Sequence, residues 1–357
     1  MNWKNKVLIL LVGLLVLGGA FVARDASHAQ QQIPPKPSVS PTPVIENDDE
    51  PIKIDTEVVN VLFTAQDKNR RLLTDLKKED IKLVEDGQVQ EIIAFGRQVD
   101  LPLSLAILID TSASQERTLP EEKSAAKSFV EAVVRPAKDE VSIVSFTGES
   151  TLEQGLTNNV ARLQRAIDRV QFVPPSGYVG GGVVVGTPPI SDRNQAIQGS
   201  TAIWDSIWIT ADEVLGSSPE KTRRAIILLS DGIDTFSRKK LDEAVQAAIK
   251  SEAVIYSIGI GDNFYDGVDE SALRKISERT GGRAYFPRDE SELRKAFTQI
   301  QIEMRSQYLI AYEPINQKRD GSYRKIEIQV TNPELAKQKV TLTHRQGYFA
   351  KTADKKK

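Results

Sequence analysis

The hydrophobic rhythm of the chain changes three times. Val7 to Ala23 is an unbroken apolar run, after which polar residues dominate as far as Pro51. From Ile52 the apolar positions alternate. IKIDTEVVNVLFTAQD is β-branched, Asn69-Arg70-Arg71 reads as a turn, and DIKLVEDGQVQEIIAFGR reads as two strands around Asp86-Gly87. The same texture returns in YLIAYEP, YRKIEIQVT and KVTLTHRQGYFA, with turns expected at Arg319-Asp320-Gly321 and Asn332-Pro333.

Between these flanks, strands alternate with helices. LSLAILID, DEVSIVSFT, RAIILLS, AVIYSIGI and RAYFP are strand-like, with STLEQGLT as an antiparallel edge partner. TLPEEKSAAKSFVEAVV opens with Pro120 and two glutamates, which suit a helix N-terminus. NVARLQRAIDRV, TAIWDSIWITADEVL, KKLDEAVQAAIKSE, DESALRKISERTGG and DESELRKAFTQIQIEMRSQ also carry helical spacing. The last of these has an Asp289-to-Glu292 capping box and a stripe of Leu293, Phe297, Ile300 and Met304. Such alternation predicts an α/β fold, a doubly wound, mostly parallel sheet covered on both faces. The simplest architecture inserts this body, residues 101–305, in a small β-rich domain built from 52–100 and 306–350. Two unrelated β appendages are the alternative. Residues 351–357 are a charged tail.

Lys4 and Lys6 precede the apolar run, and Ser27-His28-Ala29 follows it with the small-x-small form of a cleavage site. Residues 1–29 therefore read as a secretory signal, or as an N-terminal anchor if they are kept. Residues 30–51 read as a Pro-rich linker. The expected location is exported, periplasmic or extracellular, with attachment to the inner membrane through that segment as the alternative. A hydrophobic content of 40% and a charged content of 27% are ordinary for a globular protein. The net charge of −2 argues against nucleic acid or an anionic membrane as a bulk partner. The chain has no cysteine, which excludes disulfides, thiolate metal sites and cysteine nucleophiles.

Candidate chemistry gathers at the strand ends, where open α/β sheets bind ligands. The first strand of the body runs into Asp110-Thr111-Ser112-Ala113-Ser114. RAIILLS runs into SDGIDTFS, with Asp231 and Asp234, and Thr201 stands at the start of the AIWDSIW helix. Two carboxylates (Asp110, Asp231) and three hydroxyls (Ser112, Ser114, Thr201) thus converge from three loops. Oxygen donors of mixed charge suit a hard divalent cation, Mg²⁺ first, with Mn²⁺ or Ca²⁺ as alternatives. The absence of His and Cys from the set argues against zinc. Neutral hydroxyls leave such an ion electron-poor, so a partner's carboxylate could replace a bound water. Taken alone, Asp110 and its serines would also suit a capping and turn cluster.

The three-part pattern Asp110-x-Ser112-x-Ser114, Thr201 and LLSDG with Asp231 resembles the metal-ion-dependent adhesion site of von Willebrand factor type A domains. The likeness covers about residues 101–305, within a chain similar to exported bacterial proteins of this class. It implies that Ser112 and Ser114 ligate directly, and that Thr201, Asp110 and Asp231 ligate directly or through water. It also implies that the last helix of the body shifts in integrin relatives when the ion gains a ligand. Ala113 stands where the family often has Gly, which fits if that position needs no positive φ.

Other stretches are weaker signals. PPSGYVGGGVVVGTPP, residues 174–189, lacks the Lys-Ser/Thr of a phosphate loop and reads as an insertion beside the site or a plain connection. GDNFYDGVDE fails the EF-hand spacing, and its Asp269 suits a helix cap. Trp204 and Trp208 lie on one helical face and are expected in the core. Signal removal would leave His344 as the last histidine, remote from the oxygen cluster, so a Ser-His-Asp nucleophile is not expected. The function expected is an exported, metal-dependent protein-binding module and not an enzyme, docking an acidic partner residue on its cation. A cell-envelope structural or assembly protein whose ion only staples the loops is the alternative.

Overall fold

The computed structural model describes residues 58–98, 101–174, 200–219, 222–261 and 267–352. These lie in one compact unit, Asp55–Lys357. The expected signal and linker, the Gly-rich stretch beyond residue 174, residues 262–266 and most of the charged tail lie outside the described residues.

The first flank forms β1 (Val59–Gln66), β2 (Ile81–Glu85), β3 (Gln88–Gln90) and β4 (Ile92–Gln98). Asp86 and Gly87, both with positive φ, make the β2–β3 hairpin turn. The body follows with β5 (Leu103–Asp110), α1 (Leu119–Val133), β6 (Glu140–Phe146), β7 (Ser150–Thr157), α2 (Val160–Arg169), α3 (Ile203–Ile209), β8 (Arg223–Ser230), α4 (Leu241–Lys250), β9 (Ala253–Gly259), α5 (Glu270–Thr280), β10 (Ala284–Tyr285) and α6 (Glu290–Arg305). The second flank supplies β11 (Gln307–Tyr312), β12 (Tyr323–Val330), α7 (Pro333–Lys337), β13 (Thr341–His344) and β14 (Gly347–Phe349).

Two local expectations change. The α3 helix gives way to a π-helix over Thr210–Leu215 instead of staying α-helical. The turn expected at Asn332-Pro333 is instead the start of α7. The Asn332 side chain accepts from Glu334 N, and Pro333 takes the first helical position, where its missing N–H costs nothing.

The central sheet has the order β10-β9-β8-β5-β6-β7, parallel except for the antiparallel edge strand β7. Every residue of β5 is buried because helices cover both faces. Leu103, Leu105, Ile107 and Ile109 pack one face against α1, α2 and α6, with Leu293, Phe297, Ile300 and Met304 among their partners. Ala106 and Leu108 pack the other against α3, α4 and α5, where Trp204 is buried and Trp208 half-buried. The fold is α/β, doubly wound.

The flanking strands form two antiparallel sheets, ordered β13-β1-β11-β4 and β14-β12-β2-β3, so strands from both ends of the chain share each sheet. Their common core holds Val61, Phe63, Leu83, Tyr308, Tyr312 and Ile326. Ser306 alone separates α6 from β11, which lies inside its sheet between β1 and β4. Glu303, in the last turn of α6, accepts from Gln66 Nε2 of β1 at 2.9 Å and from the Tyr285 hydroxyl of β10 at 2.9 Å.

Candidate metal centre

β5 connects onward to β6 on one side, whereas β8, its other neighbour, is reached only after β7 and α3. The strand order therefore reverses at β5, and the crevice beyond its carboxyl end is the switch point at which such sheets bind ligands. Asp110 is the last residue of β5 and is fully buried. Its Oδ2 accepts from the Ser230 hydroxyl at 2.7 Å, and its Oδ1 accepts from Ser112 N at 2.9 Å. Ser112 begins a 3₁₀ turn, Ala113–Gln115, yet its hydroxyl caps nothing. Instead its Oγ lies 3.2 Å from Ser114 Oγ, so a buried hydroxyl and a half-buried one stand side by side. That is not how a capping cluster uses its serines. Ala113 is not among the residues with positive φ, so the position needs no glycine.

Asp231 follows β8 and is 2% exposed. Its Oδ1 accepts from Ile233 N at 2.9 Å. Gly232 has φ +83°, and a Cβ there would lie 2.8 Å from Leu273 Cγ and 2.9 Å from Asp269 O. Glycine is therefore required for the chain to turn away directly after the carboxylate.

Thr201 is buried on the neighbouring loop. Its carbonyl accepts from Thr235 N at 2.9 Å and Phe236 N at 3.0 Å, and Ala202 N donates to Thr147 O at 2.7 Å. Thr111 N donates to Phe146 O at 2.8 Å. The loops after β5, β6 and β8 and before α3 thus close into one hydrogen-bonded rim. The structure brings Asp110, Ser112, Ser114 and Asp231 together at this rim and holds Thr201 on the adjoining segment.

Asp234, three residues after Asp231 and outside the donor set, has another task. Its Oδ1 accepts from Ile203 N at 2.8 Å and from the Ser237 hydroxyl at 2.6 Å, holding the start of α3. Asp269 likewise caps α5, accepting from Ala272 N at 3.0 Å. Asp289 accepts from Glu292 N, but Glu292 reaches Arg288 N instead of closing a capping box. His344 lies in the flanking β13, where its Nε2 accepts from Ile328 N at 3.2 Å.

The electrostatics of the rim are one-sided. Burial, and after it the Asp231 charge, pushes the Asp110 carboxyl up to about 7. Burial also raises Asp231, eased by the Ser114 hydroxyl and Ile233 N. Hydroxyls, backbone N–H groups and the Gln115 side-chain amide offset these acids, with no basic side chain among the main influences on either. Among the described residues there is no group of three or more His, Cys, Asp or Glu side chains placed to hold a metal ion. The donors are two carboxylates and three hydroxyls, and this set fits a hard divalent cation.

One residue escaped the sequence reading. Glu121 and Glu122 both suit the N-terminus of α1, but only Glu121 is exposed. Glu122 is fully buried, with neither carboxylate oxygen hydrogen-bonded. Burial, together with the charges of Asp110 and Asp231, pushes it up to about 8 against the easing effect of the Thr118 hydroxyl. The available signal was its place on the apolar stripe, three residues after Leu119 and four before Ala126.

Residues 105–233 and residues 190–299 each match the von Willebrand factor type A domain family. The α/β body of this chain is a von Willebrand factor type A domain, a class that generally serves protein interaction. No curated protein matches the chain. Among solved structures, proximal thread matrix protein 1 from the mussel byssus, in a form with a zinc-occupied adhesion-site motif, is 21% identical. It matches over 61% of this chain and 49% of its own, with a TM-score of 0.45. This chain therefore spans about half the length of that protein. A von Willebrand factor type A protein from Catenulispora acidiphila is 14% identical over 85% of this chain and 76% of its own, TM-score 0.46. An aerotolerance-related membrane protein from Bacteroides fragilis is 16% identical over 57% of this chain and 100% of its own, TM-score 0.42. Among the described residues no helix is long and apolar enough to cross a membrane.

Proposed function

We propose that this protein is an exported interaction module that binds an acidic residue of a partner protein through a divalent cation, Mg²⁺ first. Ser112 and Ser114 would hold the ion directly, and Thr201, Asp110 and Asp231 directly or through water. The observation that carries this reading is the pair of adjacent serine hydroxyls, Ser112 buried and capping nothing and Ser114 half-buried, beside two buried acids. When bound, the ion would supply a Lewis-acidic position for an incoming carboxylate. The chain's own residues orient the donors. Ser230 and Ser112 N fix both oxygens of Asp110, while Ile233 N fixes one oxygen of Asp231.

The reading in which the ion merely staples the loops has less support, since protein hydrogen bonds already close the rim. A binding role in place of catalysis is supported by the placement of His344 in a flanking strand, occupied with a backbone amide. The test is capture of exported or envelope proteins by the purified chain in Mg²⁺, in EDTA, and with Ser112→Ala/Ser114→Ala. Capture should require both the ion and the serines. Capture that survives EDTA and the double substitution would sink the proposal.

A further inference from the structure

The buried stripe of α1 reads Leu119, Glu122, Ala126, Phe129 and Val133. Four of its members are apolar, as a helix packed on a sheet requires. Glu122 is as deeply buried as they are, and neither carboxylate oxygen has a hydrogen-bond partner, the nearby Thr118 hydroxyl donating to Gln115 Oε1 instead. Burying an acid without a partner is far more costly than burying the leucine that would fit such a stripe. The helix dipole explains an exposed first-turn acid such as Glu121, but does not require one sealed from water. The charges that act on Glu122 are those of Asp110, Asp231 and Glu121, all acidic. Glu122 N donates to Thr118 O at 3.1 Å, Thr118 Oγ1 donates to Gln115 Oε1 at 2.9 Å, and Gln115 Nε2 donates to Ser114 Oγ at 3.4 Å. A third carboxyl group thus stands on the first turn of the helix that leads from the rim where two already repel each other. No basic side chain among the described residues appears as a main influence upon it.

We propose that Glu122 is the outer carboxylate of the cation site, accepting hydrogen bonds from water held on the ion by Asp110, Ser112, Ser114, Thr201 and Asp231. This rests on the reading that those five residues hold a divalent cation. A hydrated cation offers both things Glu122 lacks, positive charge and O–H donors. Mg²⁺ in particular gives up its waters reluctantly and is usually bound with several still attached. Groups that hydrogen-bond to the first layer of ligands orient them and tune affinity, and removing one typically weakens metal binding by about 10- to 100-fold. On this assignment three acids, not two, share the ion's charge.

The experiment is calorimetric titration of Mg²⁺ into the EDTA-stripped full chain, alongside its melting temperature without metal. Wild type is compared with Glu122→Gln, Glu122→Leu and Ser112→Ala. Both Glu122 variants should bind Mg²⁺ about 10-fold or more weakly, while melting without metal at or above the wild-type temperature. If wild type binds Mg²⁺, Ser112→Ala binds weakly and both Glu122 variants bind like wild type, Glu122 lies outside the site and the inference fails alone. Metal-free melting well below wild type in both Glu122 variants would also overturn it, because the acid would then be a structural support. If wild type does not bind Mg²⁺, or Ser112→Ala binds equally well, the reading of the five-residue site falls and takes the inference with it.

Discussion

Replacing Asp110 by asparagine should make the metal-free protein more stable at pH 8 while abolishing its response to Mg²⁺. Asp110 is fully buried, and its carboxyl is raised from 3.8 to about 7 by burial first and by the Asp231 charge second. Between those two values the folded protein holds a proton that the unfolded chain has released. Stability is therefore fully present below pH 3.8 and is lost as pH rises through about 7. At 1.36 kcal/mol per pH unit, the difference corresponds to about 4 kcal/mol as a ceiling, reached above pH 7. Asparagine carries no charge to desolvate. Its amide oxygen can still accept from Ser112 N, and its amide NH₂ can face Ser230. The assay is urea unfolding in EDTA at pH 5 and pH 8, repeated in Mg²⁺. Wild type should lose stability between the two pH values in EDTA and regain it with Mg²⁺. The variant should lose less between the two pH values, the loss that remains coming from Glu122, which burial raises to about 8, and it should gain little from the ion. The reasoning is refuted if metal-free wild type is equally stable at both pH values and the variant is weaker at both. Asp110 would then be an ordinary turn-forming acid.

Asp139, buried beneath α6, accepts from Arg135 Nε and Arg305 Nη2 at 2.8 Å each and from Leu103 N at 3.0 Å. Burial alone would raise it, but those arginines and the Arg135 amide hold it down to about 2. Its contribution is present above pH 3.8 and lost as pH falls through about 2. Asp139→Asn should cost about 3 kcal/mol in urea at pH 7, with a smaller deficit below pH 3. Gly232→Ala forces a Cβ against Leu273 and the Asp269 carbonyl at positive φ. It should cost about 1–3 kcal/mol and weaken Mg²⁺ binding, because it displaces Asp231; calorimetry reads both effects. Asp234→Ala leaves Ile203 N and the Ser237 hydroxyl without their acceptor. It should lower stability by about 1 kcal/mol while leaving Mg²⁺ affinity within about twofold, since Asp234 holds α3 and not the ion.

Features that depend on local periodicity were legible in the sequence. The apolar run Leu103–Ile109 specifies a strand buried on both faces, and the α6 stripe specifies which side of that helix meets the sheet. Asp110, Ser112, Ser114, Thr201 and Asp231 were visible because each directly follows a strand or precedes a helix, so topology alone gathers them. What escaped depends on distances between segments far apart in sequence. Asp231 and Asp234 look alike in SDGIDTFS, yet one stays at the rim while the other turns back to α3. Glu122 looks like a routine helix-start acid, and only packing shows that it is sealed. The π-helix at Thr210–Leu215 left no trace, because six residues are too few to separate one helical period from another. Asn332-Pro333 was ambiguous for a different reason, since the same pair opens turns and caps helices.

The single residue between α6 and β11 has a mechanical meaning. β11 is hydrogen-bonded on both edges, to β1 over Val59–Phe63 and to β4 over Ile92–Gln98. Gln66 and Tyr285 also grip the end of the helix through Glu303. A helix joined in this way cannot slide along its axis without shearing an internal strand of the flanking sheet past both neighbours. The near end is a fixed hinge, and any motion of the helix is confined to a swing about Ser306, widest at its Asp289 end. The flanking sheets act as ballast for the α/β body, and the cost of moving the helix is the cost of breaking a strand ladder.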